Sequence, residues 1–172
     1  MASGLAQLVL RPTALMEHHA HNFNGKALLE KGKAQLIGPG TKKRNFVAAT
    51  DVAGFALRAL LEDPPPFRAI EIGGPGNYSN TEVAERYARA AGIELRIGRL
   101  PVAVARVLSV LAKPLHPGMA RMMRIFALPD DAFDETFDGA AALEREHGVR
   151  LTTLDEFIAA RVAEAKGATA AG

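Results

Sequence analysis

The segment from Leu8 to Met16, LVLRPTALM, restricts what this chain can fold into more than any other stretch. It opens as a short Val/Leu run, the pattern of a strand buried on both faces. Pro12 ends that run, because proline fixes φ, lacks an N–H for the ladder and pushes Arg11 toward extended geometry. Thr13 is placed to cap a following helix, with Glu17 in the first turn where the helix dipole favours an acid. A strand that stops at a proline and opens into a helix sets side chains at the carboxyl edge of a sheet, where open α/β sheets bind ligands. A parallel strand needs neighbours, and this one stands at the start of the chain.

The remaining pattern alternates strands and helices. Residues 14–33 read as a helix with an imperfect stripe (Leu15, His19, Phe23, Ala27) and a break near Asn24-Gly25. Residues 33–37 and 44–49 read as strands around Gly38-Pro39-Gly40, together a hairpin-like excursion with a basic tip. A helix over 51–62, capped by Thr50 or Asp51, carries the stripe Val52, Phe55, Ala56, Ala59 and Leu60. Residues 67–72 form a second sheet strand, and Ser79-x-x-Glu82 is a capping box for a helix that stops at Gly92. A strand over 94–99 follows, then two short Met-rich helices divided between Lys113 and Gly118. Phe133 and Phe137 anchor an acidic connector. Two more helices complete the pattern, over 138–147 and after Thr152-Thr153, the second with Leu154, Phe157, Ile158 and Val162 on one face. The expected organisation is one domain over 1–165, with strands and excursion in 1–75, a mostly helical cap in 76–165, and a disordered tail over 166–172.

Composition removes several classes of function. Without a cysteine there are no disulfides, thiolate nucleophiles or thiolate metal sites. A chain without cysteine or a visible signal peptide fits the cytoplasm. The longest apolar run, Leu100 to Ala112, is too short to cross a membrane and contains Arg106. A net charge of +2 does not argue for nucleic acid. The charge is uneven, however: from Leu95 to Pro129 there is no acid, while six Lys and Arg residues fall there and acids cluster from Asp130 to Asp138. The plain expectation is that these two segments offset each other; the sharper one is a basic surface for an anionic ligand or membrane.

Candidate chemistry is sparse. Gly74-x-Gly76-x-x-Ser79 follows a strand and opens a capped helix, as a dinucleotide fingerprint does. Its third position is serine and no acid ends the next strand, so a tight strand-to-helix turn is the better reading. His18, His19 and His21 lack the H-E-x-x-H pattern and read as a polar pocket wall or solvated face ahead of a metal site. No serine lies in a nucleophile elbow, and neither Tyr78 nor Tyr87 has a lysine four residues on, so no residue is assigned a catalytic role and no metal is expected.

The motifs R-P-T-x-x-M from Arg11, N-F-V-x-x-x-D-V-A from Asn45 and G-G-P-x-x-x-S-x-x-E from Gly73 occur in an order that resembles the carboxyl-terminal half of NmrA-like proteins. These are atypical members of the extended short-chain dehydrogenase (SDR) group that bind NAD(P). The resemblance spans about Gly4 to Phe157. It implies an α/β chain, the carboxyl-terminal part of a Rossmann-type fold with a helical substrate-side subdomain and without the amino-terminal βαβ units. Leu8–Leu10 would then be the sixth strand and Ala69–Ile72 the seventh. Pro12, Thr13, Ala14 and Met16 would pass the nicotinamide end of the cofactor, and His18, Asn22, Met119, Met122 and Phe126 would face substrate.

The same resemblance implies an oxidoreductase acting on a small apolar carbonyl, quinone or enone. The phosphate loop, ribose-selecting residue and any Tyr/Lys pair belong to the other half, so this chain is expected to be inactive alone and not to hold NAD(P) tightly. A truncated frame, a split-enzyme piece and a self-associating remnant all fit. Its expected partners are a small-molecule substrate and, across a bare strand edge, a second copy or a complementing amino-terminal chain. The alternatives are a non-catalytic NAD(P)-sensing or ligand-binding regulatory module and a carrier of apolar ligands.

Overall fold

The computed structural model describes residues 8–61, 68–112 and 134–170, together with His116, Gly118 and Arg121. Strand β1 (Leu8–Pro12) pairs in parallel with β5 (Arg68–Ile72), with Leu10 opposite Ile70 and Pro12 opposite Ile72. The Thr13 N–H continues the ladder by donating to the Ile72 carbonyl at 2.8 Å. The pairing expected between the two sheet strands is therefore present.

Burial of β1 on both faces is not. Ile70 and Ile72 point into the core, but Val9 is 48% exposed, and Arg11 and Glu71 form a solvent-facing ion pair at 3.7 Å. Only one face of this strand pair is covered among the described residues, so alternation decides which side chains enter the core.

The hairpin reading of residues 33–49 is also corrected. β3 (Ala34–Ile37) pairs in parallel with β7 (Ile97–Leu100), while β4 (Lys43–Val47) lies between β2 (Ala14–Leu15, parallel) and β6 (Asn77–Ser79, antiparallel). Each strand of the supposed hairpin finds a better partner elsewhere. The connection between them is held off by Thr81, whose N–H and hydroxyl both donate to the Gly40 carbonyl.

β4 is the centre of the molecule. Asn45, Phe46 and Val47 are all 0% exposed. Phe46 belongs to one apolar cluster with Met16, Val83, Tyr87 and Leu154; Val47 belongs to a second with Phe55, Ile72, Leu143 and Leu151. Consecutive strand residues point to opposite faces, so one strand seeds both cores.

Helix behaviour follows the sequence at some ends and departs from it at others. The Ser79/Glu82 capping box and the left-handed Gly92 stop delimit α3 (Asn80–Ala91) as expected. After α4 (Val102–Ala112) and α5 (Ala140–His147), a second capping box, Thr153 with Glu156, opens α6 (Leu154–Ala170). That helix buries Leu154, Phe157, Ile158 and Val162. It also runs on through Lys166–Ala170, where a disordered tail was expected; extending an already nucleated helix avoids the nucleation cost even across Gly167. The second Met-rich helix, Phe133, Met119, Met122 and Phe126 lie outside the described residues.

Residues 16–25 are not a broken α-helix but a π-helix (Met16–Gly25) that passes directly into α1 (Lys26–Lys31). Asn24-Gly25 makes no turn. Gly25 is helical, and a Cβ on it would lie 2.3 Å from the Tyr87 ring, so the glycine serves close packing.

Thr13 caps nothing, because its hydroxyl is turned to Asn45. Nor do Thr50 or Asp51 cap α2 (Ala49–Leu60). The N-cap is Ala48, and both Glu17 carboxylate oxygens accept from the Ala49 N–H at 3.1 Å. Asp51 instead accepts from the Thr152 N–H at 2.7 Å and from its hydroxyl at 2.8 Å, tying α2 to the start of α6. The α2 stripe is narrower than its spacing suggested, since Phe55 and Ala59 are buried while Leu60 is 72% exposed. Because the Glu17 cap is a tertiary contact, Glu17→Ala should remove both a hydrogen bond and a favourable charge at the dipole. We expect a loss of about 1 kcal/mol, read as a lower urea midpoint with an unchanged m value.

Candidate functional site

The carboxyl ends of β1 and β5 meet around Asn45. Its Oδ1 accepts from the Gly74 N–H at 2.7 Å and from the Thr13 hydroxyl at 2.8 Å. Its Nδ2 contacts the Gly74 carbonyl at 3.0 Å, Asn77 Oδ1 at 3.1 Å and the Gly76 carbonyl at 3.2 Å. Asn77 Oδ1 also accepts from the Phe137 N–H at 3.0 Å. One buried amide thus joins the end of β1, the glycine turn and the connector that precedes α5.

This network also decides what the glycine turn is for. A Cβ on Gly74 would sit 1.9 Å from the Phe46 carbonyl oxygen, and one on Gly73 would sit 2.2 Å from the Phe137 ring. The Gly74 N–H is taken by Asn45, and the N-termini of α2 and α3 are occupied by the carboxylates of Glu17 and Glu82. These sites are closed to a dinucleotide phosphate. At the same edge Pro12 is exposed and Thr13 and Ala14 are half-buried, whereas Met16 is 1% exposed and packed in the first core. The expected cofactor-side residues therefore form a short shelf of three, with Met16 beneath it.

A cavity of about 70 Å³ is bounded by the π-helix, β3, β4 and the first residue of α3. His19, Phe23, Asn24, Gln35, Leu36, Ile37, Arg44 and Asn80 line it. His19 Nδ1 is buried with no hydrogen-bond partner among the described residues. Asn24 Nδ2 donates to the His19 carbonyl at 3.0 Å and approaches Asn80 Oδ1 at 3.4 Å. The Arg44 guanidinium pairs with Glu135 at 3.2 Å, as does Lys42 at 3.4 Å. Burial first, then the nearby Arg44 and His18 charges, hold the His19 pKa below its ordinary value, which favours a neutral imidazole.

Of the residues predicted to face substrate, His18 and Asn22 are described, and they lie in different surroundings. His18 is exposed and meets the Phe23 ring edge-on at 4.7 Å. Asn22 lines a different cleft of about 330 Å³, with His21, Lys26, Glu30, Arg161 and Glu164. The π-helix explains this. An α-helical period places His18 with Asn22, but i→i+5 geometry sets His18 against Phe23 and His19 against Asn24. His19 and Asn24 were missed for this reason; the available signal was a pair of polar residues five apart inside an otherwise apolar stripe. Arg44 and Asn45 lie on β4 and were missed because their partners are distant in sequence.

His21 Nδ1 lies 3.1 Å from the Tyr87 hydroxyl. Burial pushes the Tyr87 phenol above its usual range, and burial followed by the Arg161 charge pulls the His21 imidazole down. His18 and His19 meet edge-on at 5.3 Å while His21 faces Tyr87, and among the described residues no group of three or more His, Asp or Glu could hold a metal ion.

Both lowered histidines have a consequence for stability. The unfolded chain takes up protons below about pH 6.5 before the folded one does. Their contribution is complete above that pH and is lost as pH falls toward the depressed folded values. The melting temperature should accordingly decline on acidification below pH 6.5, and His19→Gln should make that slope shallower.

No family model matches the chain. It is 32% identical over 84 residues to an uncharacterized oxidoreductase of Bacillus subtilis, a match covering 49% of this chain and 29% of that protein. Among solved structures, an NADPH-dependent quinone oxidoreductase of Escherichia coli superposes with a TM-score of 0.65 at 24% identity, over 91% of this chain and 53% of that one. A UDP-glucose 4-epimerase of Thermus thermophilus in complex with NAD superposes with a TM-score of 0.66 at 18% identity, over 97% and 49%. The fold is that of NAD(P)-dependent epimerases and reductases. The mixed α/β architecture and the SDR-like resemblance read from the sequence agree with it. The chain spans about half the length of these solved structures and under a third of the curated relative. Among the described residues no helix is long and apolar enough to cross a membrane.

Proposed function

We propose that this chain is the substrate-side, carboxyl-terminal portion of an NAD(P)-dependent oxidoreductase-like protein acting on a small apolar carbonyl, quinone or enone. The observation that carries this reading is the parallel β1–β5 pair, whose carboxyl ends are tied through the Thr13–Asn45–Gly74 network to β4, the strand that also contributes Arg44 to a cavity of mixed polarity. In this reading Pro12, Thr13 and Ala14 flank the nicotinamide end of a bound cofactor, with Met16 supporting them from below. The cofactor, when bound, supplies the hydride. His18, Asn22 and, beyond the described residues, Met119, Met122 and Phe126 shape the approach of substrate. A neutral His19 offers a hydrogen bond at the cavity wall, while Phe23, Leu36 and Ile37 give it an apolar lining.

The shelf fits only one end of a dinucleotide, because the glycine turn and the nearby helix N-termini are already occupied. Tight NAD(P) binding therefore needs a second set of residues. A bare β1 edge suits either a second copy or a complementing chain, and a cytoplasmic location belongs to the same reading.

The test is a titration of the purified chain with NADPH, followed by nicotinamide fluorescence, with a parallel assay of quinone-dependent NADPH loss. No saturable enhancement and no turnover is the expected result. Saturable binding without turnover would favour an NAD(P)-sensing module, and turnover by the chain alone would remove the proposal. Small quinones and enones should raise the melting temperature, an effect that His19→Gln should weaken.

A further inference from the structure

The cleft of about 330 Å³ shares no residue with the cavity around His19. Its size suits a small molecule. α1 supplies one wall through Lys26, Leu29 and Glu30, and α6 supplies the other through Arg161 and Glu164. His21 comes from the π-helix. The Lys26 N–H donates to the His21 carbonyl, a five-residue step that stacks the two residues on one face.

His21 is held from behind. Its Nδ1 lies 3.1 Å from the hydroxyl of Tyr87, a residue 0% exposed. A buried phenol needs an acceptor, and among the described residues the Tyr87 hydroxyl has no other. Nδ1 therefore accepts, and the proton of the neutral imidazole sits on Nε2, available to the cleft.

The walls carry two charges of each sign. Lys26 pairs with Glu30 at 3.9 Å on α1, and Arg161 pairs with Glu164 at 2.8 Å on α6. Among the described residues no ion pair crosses from α1 to α6. All four charges are near enough to act on the His21 ring. A simple anion or cation in such a cleft meets two like charges, whereas a molecule with one charge of each sign finds an opposite charge at both ends.

We propose that this cleft binds a small aliphatic zwitterion of the α-amino-acid type, its carboxylate received by Arg161 and the His21 Nε2–H, its ammonium by Glu30, and its side chain by Leu29. This inference is independent of the proposed reaction, and its test uses no cofactor or quinone.

L-leucine is titrated into the full chain, and binding is read by calorimetry and by the histidine ring resonances. The expected result is saturable binding that moves the resonances of one Nε2-protonated imidazole, the one absent from His21→Gln. N-acetyl-L-leucine and L-leucinamide each lack one of the two charges and should bind roughly tenfold or more weakly, the loss of a charge-assisted hydrogen bond. Glu30→Gln should weaken L-leucine roughly tenfold as well, with an unchanged melting temperature, because that side chain is 55% exposed. Arg161→Gln should do the same; Arg161 also stacks on the Phe157 ring at 5.1 Å, so Glu30→Gln decides the matter if that variant does not fold. Four results overturn the proposal: no saturable binding of L-leucine, equal binding of the two capped analogues, binding that Glu30→Gln leaves intact, or binding that leaves the His21 resonances unmoved.

Discussion

Asn45→Ala lowers the unfolding free energy by about 3–4 kcal/mol and the melting temperature by about 10 °C. Asn45 is 0% exposed and holds the Thr13 hydroxyl, the Gly74 N–H and two turn carbonyls at 2.7–3.2 Å. Truncation leaves these groups buried and only partly satisfied, and each such group costs about 1–3 kcal/mol. A urea titration with unchanged m measures the loss; less than about 1 kcal/mol would mean that solvent replaces the amide. Asn45→Asp separates the two halves of the side chain. It keeps the acceptor but turns the former amide nitrogen into an oxygen facing the Gly74 and Gly76 carbonyls, so its defect should ease as pH falls and the carboxyl protonates.

Gly74→Ala should cost a comparable amount, about 3 kcal/mol, for a different reason. The added methyl would stand 1.9 Å from the Phe46 carbonyl oxygen and 3.0 Å from its carbon. That backbone belongs to β4, which anchors both cores, so relief requires moving the strand rather than rotating a side chain. The control is Gly92→Ala, where no atom lies within 4 Å and only the positive φ of 72° is at stake. Its cost should be about 1 kcal/mol. Because Gly74 donates to Asn45, the Asn45→Ala/Gly74→Ala double variant should lose less than the two separate losses together. Strict additivity in melting experiments would argue against a shared network.

Both effects concern residues whose importance was only partly legible in the chain. Asn45 stood within a recognisable N-F-V motif, but nothing near it in sequence names its partners, which lie 29 to 32 residues away. Gly74 was read as a tight turn in place of a phosphate cradle, and Phe46 and Asn45 account for why. The candidate cavity was harder to read. His18 and Asn22 were selected on an α-helical period, while the π-helix brings His19 and Asn24 to the cavity wall instead. Glu17 was correctly seen as a carboxylate near a helix start, though the helix it caps is α2, begun 32 residues later, not its own.

Local chemistry was enough to determine the extended character of residues 8–12 and 68–72, the capping boxes at Ser79 and Thr153, and the stop at Gly92. Each depends on neighbours within a few residues or on an apolar period. Tertiary structure alone decided which strand became central, which carboxylate capped α2, and which face of α4 turned outward. Those outcomes compare partners far apart in sequence, and the free energy of burying Phe46 and Val47 on opposite faces of one strand is not written into the residues beside them.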